Sequence, residues 1–325
     1  MASNGTQTPN ASCLDCAIDQ SAWKIALPSL YFMIFPLALV LNLTVAWICL
    51  HLQVNSSLTV YLKHLVAADL LMTLTFPIRA ASELPGASPG LHAFVCRFSS
   101  VFFYLAMNMS VILMGLISLD RYLKIVRSGG SLLGQNLLFT HALSFTFWIV
   151  CIGSITLPII MTTDQDPMNM ATEFCMAMKS KLGLDWHKAV VIVTKVIFWT
   201  VCIVIVFCYT CIAKTVLESY QRSHSNNDKR KRKAKLRVFL ILIIFLICYV
   251  PYHSIRIPYT LLQIKGNCSC TWFFLKIGKE LTLWLSSLNV CLDPLIYFFL
   301  CKAFREKFWE ICDLEKLFPS FGKKQ

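Results

Sequence analysis

Charge is what this sequence has little of. Only 14% of its 325 residues are charged, against about 25% in an ordinary soluble domain, while 57% are hydrophobic. That balance excludes a soluble globular chain and places the protein in a bilayer. Met1 to Ser21 lacks a basic n-region followed by an apolar run, so no cleavable leader is expected and the first membrane helix does the targeting. No nucleophile–base constellation or His-Glu-x-x-His metal motif occurs, which speaks against an enzyme and against a metal centre. The apolar runs neither repeat nor come as the paired broken helices of a transporter, leaving a transporter or channel a distant third reading.

What the sequence does hold is long apolar runs. Crossing a hydrocarbon core of about 30 Å takes roughly 20 apolar residues at helical rise. Seven such runs lie at about 25–50, 58–80, 94–120, 138–162, 188–214, 236–262 and 272–300. They predict an all-α membrane protein, a seven-transmembrane helix bundle over residues 25–300. Residues 1–24 form an N-terminal tail, and 301–325 a short amphipathic eighth helix with its own tail.

Cytoplasmic loops hold the excess of Lys and Arg. The densest basic run, Lys229-Arg230-Lys231-Arg232-Lys233, lies between the fifth and sixth spans. That loop is therefore expected inside and the N-terminus outside, in a multi-pass plasma-membrane protein. Asn4-Gly5-Thr6 and Asn10-Ala11-Ser12 agree, as glycosylation acceptors Asn4 and Asn10 on an extracellular tail. The net charge of +13 flanks the spans, as topology demands, so no nucleic-acid partner is expected.

Most of the 15 cysteines fall inside apolar runs, where a thiol behaves as a small hydrophobe. Cys13, Cys16, Cys96, Cys175, Cys268 and Cys270 fall outside the membrane on the extracellular side, where bridges form. Spacing does not fix the pairing. The expectation is Cys96 with Cys175 and one N-terminal cysteine with the third outer loop, Cys16 with Cys270 being the pair taken.

An ionisable group at bilayer depth is costly and marks a functional site. Asp69 and Asp293 are two such groups, and Asn42, Ser110 and Asn289 lie at comparable depth. Together they suit a small hydrated cation such as sodium, which wants several oxygen ligands, or else a water-filled hydrogen-bond network. Asp120-Arg121-Tyr122 at the inner end of span three can pair locally until a partner displaces the pair, or serve only as an interfacial anchor. Pro251 and Pro294 interrupt spans six and seven. Beyond Tyr297, Phe304, Phe308 and Trp309 share one face of a helix suited to the inner leaflet. Cys301 and Cys312 flank it as palmitoylation candidates or plain thiols.

Asn42, Asp69, Cys96, Asp120-Arg121-Tyr122, Trp148, Pro158, Tyr209, Pro251 and Asp293-Pro294-Leu295-Ile296-Tyr297 stand in the order and spacing of the rhodopsin-like G-protein-coupled receptors, which the chain resembles over nearly its whole length. Pro251-Tyr252-His253-Ser254-Ile255-Arg256, Lys279-Glu280-Leu281, Lys179-Ser180-Lys181 and Trp186-His187 are similar to the purinergic nucleotide receptors of the platelet-ADP and UDP-glucose subgroup and their orphan relatives. The resemblance implies a heterotrimeric G protein as partner, usually of the Gi class, and a Cys96–Cys175 outer bridge. It implies a sodium pocket at Asp69 with Asp293, and Asp120, Arg121, Tyr122, Tyr209 and Tyr297 as the G-protein switch. Apart from that ion, no cofactor is expected.

The ligand set follows the same lines: Tyr104, Lys179, His187, His253, Arg256, Tyr259 and Lys279. Arg256 and Tyr259 are three apart on one helical face, and Lys279 opens span seven nearby. An Arg fork and a Lys point charge suit phosphate oxygens, and the Tyr104 ring suits a base or sugar. Three departures fall on this pocket. Ile159 and Val191 stand where the subgroup has Asn, and Asn108 where it has Tyr. Leu41, Ser128 and Val201 depart less consequentially. Keeping the cations while losing polar groups points to phosphate recognition with altered base recognition. The ligand is then a nucleotide or nucleotide sugar, or alternatively a lysophospholipid or other small anion.

Overall fold

The computed structural model describes residues 20–52, 56–127, 136–164, 175–222, 228–265 and 270–311. Seven helices among them are long and apolar enough to cross a membrane. They are α1 (Gln20–His51), α2 (Ser57–Glu83), α3 (Pro89–Ile125), α4 (Leu137–Met161), α5 (Lys181–Arg222), α6 (Asp228–Lys265) and α7 (Thr271–Leu300), and a short α8 (Lys302–Ile311) follows. The expected spans fall on these helices, which run further at several ends. α6 begins eight residues before its expected span, through the basic run. Apolarity reports contact with lipid, whereas Lys and Arg are good helix formers and extend the backbone helix past it.

The helices close a ring in the order α1, α2, α3, α5, α6, α7, and α4 packs outside against α2 and α3. The apolar window of α3 is 72% buried against 22% for α4, which makes α3 the central post. Lipid is as apolar as Leu, so close packing rather than hydrophobic transfer draws such helices together. Gly115 is one point of contact: a Cβ there would meet Val201 Cγ1 of α5 at 2.9 Å, so the small residue lets α3 and α5 approach.

Proline breaks the backbone ladder, and other helices repair it. Pro294 has no N–H for Val290 O, and Asn42 Nδ2 of α1 donates to that carbonyl at 2.8 Å. Ser286 Oγ of α7 donates to Cys248 O at 2.7 Å, in the turn before Pro251. The interruption in α7 falls at Leu288, ahead of Pro294, where the Leu288 N–H is shared between Trp284 O and Leu285 O. In α4 a π-helical turn, Ile152–Thr156, precedes Pro158, and a second, Val95–Ser99, carries Cys96 in α3.

At the opposite end, Phe304 of α8 tucks under Tyr297 with 5.9 Å between ring centroids. Arg305 donates to Phe298 O and Phe299 O, two of the carbonyls left open where α7 ends. Cys301 is buried here. Cys312 lies outside the described residues.

Candidate functional site

All seven residues of the expected ligand set line one cavity of about 540 Å³ at the disulfide end of the bundle. α3 supplies Tyr104, α5 His187, α6 His253, Arg256 and Tyr259, and α7 Lys279, while Lys179 comes from the segment before α5. The Cys96–Cys175 bridge, with Cα atoms 5.2 Å apart, ties that segment to α3. Lys179 lies four residues on, in an isolated antiparallel bridge with Thr163, and its Nζ donates to Thr163 Oγ1 at 2.8 Å. Burial pushes the Lys179 ammonium down to about 8. Cys16, Asn4 and Asn10 lie outside the described residues, as does the side chain of Cys270, so the second bridge and the glycosylation sites are not placed.

Seven Lys and Arg side chains line the cavity against two acidic ones, Glu83 and Glu280. Their partners differ. Glu280 accepts from Arg79 of α2 at 2.7 Å and pairs with its neighbour Lys279, whose Nζ also lies 5.0 Å from the Tyr259 ring centroid. Arg256 meets no carboxylate among the described residues. It donates to Tyr104 at 3.0 Å and to Tyr252 at 2.6 Å, with its guanidinium 4.8 Å from the Tyr104 ring centroid. One face of Tyr104 is thereby occupied by Arg256, not left open for stacking.

Lys195 and Arg79 of this cavity were not among the expected residues, and Glu280 was read only within the Lys279-Glu280-Leu281 motif. Lys195 lies inside α5, 9% exposed, and its Nζ is 3.1 Å from His253 Nδ1 and 3.3 Å from His253 O. The His253 ring stacks on Phe198 at 3.6 Å. A signal for Lys195 exists in the chain: Val191, Phe198, Cys202, Ile205, Tyr209 and Ile212 form the buried stripe of α5, and Lys195 falls in register with it. Ile159, Val191 and Asn108 line the same cavity, so the departures from the subgroup's pattern do fall on its wall.

Deeper in the bundle, Ser110 Oγ donates to Asp69 at 3.4 Å and Asn289 Nδ2 to Asp293 at 2.6 Å, and the two carboxyls are near enough to interact electrostatically. Asp69 Oδ2, Asn42 Oδ1, Asn289 Oδ1 and Asp293 Oδ1 are buried with no hydrogen-bond partner among the described residues. At the far end Arg121 grips Asp120 at 2.7 Å, and Asp120 also takes Lys124 at 2.8 Å and Ser57 Oγ at 2.7 Å. Tyr122 packs on Phe207 of α5 at 5.6 Å; Tyr209 is buried, and Tyr297 reaches Leu62 O at 3.4 Å.

A seven-helix membrane bundle with a polar cavity at one end and a paired Asp-Arg at the other is the architecture of a receptor. Residues 41–297 match the seven-transmembrane receptor (rhodopsin family) model, and the chain belongs to that family. It is 38% identical over 293 residues to human purinoceptor 13, covering 90% of this chain and 82% of that protein. It is 39% identical over 304 residues to purinoceptor 14 of Bos taurus, with 93% and 90% covered. Identity to mouse G-protein coupled receptor 87 is 38% over 288 residues, covering 88% and 80%. The expected class, a G-protein-coupled receptor of the purinergic group and not an enzyme, holds.

Proposed function

We propose that this receptor takes an extracellular nucleotide or nucleotide sugar at its plasma-membrane outer face and signals through a heterotrimeric G protein of the Gi class. The observation carrying this reading is the excess of cations lining the cavity, above all an Arg256 held by phenols and not by a carboxylate among the described residues. A guanidinium in that setting has fork donors to offer an anion. The names of the relatives, purinoceptors, supply the chemical class. On this reading Tyr104, Lys179, His187, His253, Tyr259 and Lys279 complete the ligand site, the N-terminal tail is extracellular and the α8 end cytoplasmic.

Asp69, Ser110, Asn289 and Asp293 would hold a sodium ion, since Asp69 Oδ2, Asn289 Oδ1 and Asp293 Oδ1 are buried acceptors without a hydrogen-bond partner among the described residues, and a hard cation takes oxygen ligands. The Asp120–Arg121 pair holds the cytoplasmic end closed, and Tyr122, Tyr209 and Tyr297 rearrange with it when the G protein engages. The apolar contribution of Ile159 and Val191 favours a second ligand class, a lysophospholipid, whose phosphate would use the same cations.

The deciding experiment measures G-protein activation in transfected cells given ADP, UDP-sugars and lysophospholipids. A response to a nucleotide is expected; silence to every nucleotide with normal surface expression overturns the reading, and a lysophospholipid response then replaces it. Arg121→Ala should abolish activation while leaving ligand binding intact. Unchanged signalling in that variant would remove Arg121 from the switch.

A further inference from the structure

Lys279 and Arg256 were the expected phosphate grip, but Lys279 already has Glu280. The unmatched cations lie on the other side. Lys195 Nζ and the Arg256 guanidinium approach the same Tyr252 ring, at 5.0 Å and 5.7 Å from its centroid. Neither meets a carboxylate among the described residues. His253, one helical turn from Arg256, has Nδ1 3.1 Å from Lys195 Nζ, and with Lys195 charged that nitrogen accepts and the imidazole proton sits on Nε2. That Nε2 has no hydrogen-bond partner among the described residues, although His253 is only 2% exposed and lines the cavity.

A buried charge without a counter-charge is expensive, and two side by side are more so. Lys195 has no structural need for its charge, because a neutral donor would serve His253 equally well. The cost is offset when an anion enters. We propose that Lys195, Arg256 and the Nε2–H of His253 form an anion subsite on the α5–α6 wall that takes the phosphate or diphosphate of the ligand, with Lys195 the residue that sets its depth. This rests on the anionic-ligand reading above, and it relocates the anion from the α7 side to the α5 side. Either a nucleotide or a lysophospholipid headgroup carries the chemistry.

The test uses the full-length receptor purified into lipid nanodiscs, with inorganic pyrophosphate, ADP and lysophosphatidic acid as separate probes and the melting temperature as readout. Lys195→Gln deletes the charge and keeps an N–H donor on a side chain one bond shorter. Lys195→Met checks folding: removal of an unpaired buried charge should hold or raise the ligand-free melting temperature. Pyrophosphate should protect the wild type and Lys279→Gln, and protect Lys195→Gln at least about tenfold more weakly, as loss of a charge-assisted hydrogen bond dictates.

Equal protection of Lys195→Gln and wild type overturns the subsite, even if ADP binds both and the nucleotide reading stands. Protection by pyrophosphate that needs Lys195, with no effect of ADP, upholds the subsite and removes ADP as the source of its anion; the lysophosphatidic acid arm then tests a lipid source. If no anion protects the wild type, the subsite is refuted.

Discussion

The two walls of the cavity each present two cations and differ in what answers them. On the α2–α7 wall, Arg79 and Lys279 share Glu280, from helices remote in sequence. On the α5–α6 wall, Arg256 and Lys195 are met among the described residues only by phenols, an imidazole and a carbonyl. The first arrangement is a fastening: its charges are spent on each other and hold α2 to α7. The second leaves charge unanswered on the cavity wall. A buried ion pair is worth little net and costs much when halved, whereas an unmatched cation favours whatever anion arrives.

The largest expected effect comes from breaking the fastening. Glu280→Gln strands Arg79 and Lys279 and should destabilise the receptor by about 3–5 kcal/mol, seen as a lower melting temperature and reduced surface expression. Adding Arg79→Met to that variant should recover part of the loss, because one stranded charge goes with it. A Glu280→Gln receptor as stable as wild type would show that the α2–α7 wall is no fastening.

Removing a cation from each wall sharpens the contrast. Arg256→Ala should weaken an anionic agonist by about 1.5–3 kcal/mol, the worth of charge-assisted hydrogen bonds, with surface expression unchanged. Lys279→Gln should weaken it by about 1 kcal/mol, since Lys279 has already committed to Glu280. Equal losses in dose–response potency for the two variants would erase the distinction between the walls.

How far this was legible in the sequence follows from the range of each interaction. A run of about 20 apolar residues is a one-dimensional signal, so the seven spans could be found, and basic extensions such as that of α6 could not. The prolines and buried acids Asp69 and Asp293 stand out because they break apolar runs, and part of the ligand set could be read because His253, Arg256 and Tyr259 share two turns of α6. Lys195 breaks a run too. It was readable only by its register with Phe198 and Cys202, not by composition. The Arg79–Glu280 pair spans 201 positions, and nothing local to either residue names the other. That pair decides which cations remain for a ligand, so the allocation of charge was the part sequence could not supply.

Lys179 gives the smallest effect, because it belongs to neither wall and its Nζ already donates to Thr163. Burial lowers its ammonium from 10.5 to about 8, so it is charged at pH 7 and largely neutral at pH 9. Its folded pKa lies below its unfolded one, so the unfolded chain holds the proton more tightly. Stability from this group therefore rises as pH climbs from about 8 towards 10.5. Affinity for an anion moves the opposite way, since the cation is lost over the same interval. A phosphate's second ionisation, near about 6, is complete by then and does not interfere. Agonist affinity should fall a few-fold between pH 7 and 9, about 0.5–1 kcal/mol as for one marginal ion pair, and the slope should flatten in Lys179→Gln. An unchanged slope in that variant would assign the titration to another group facing the cavity, and Lys179 would then take no part in holding the anion.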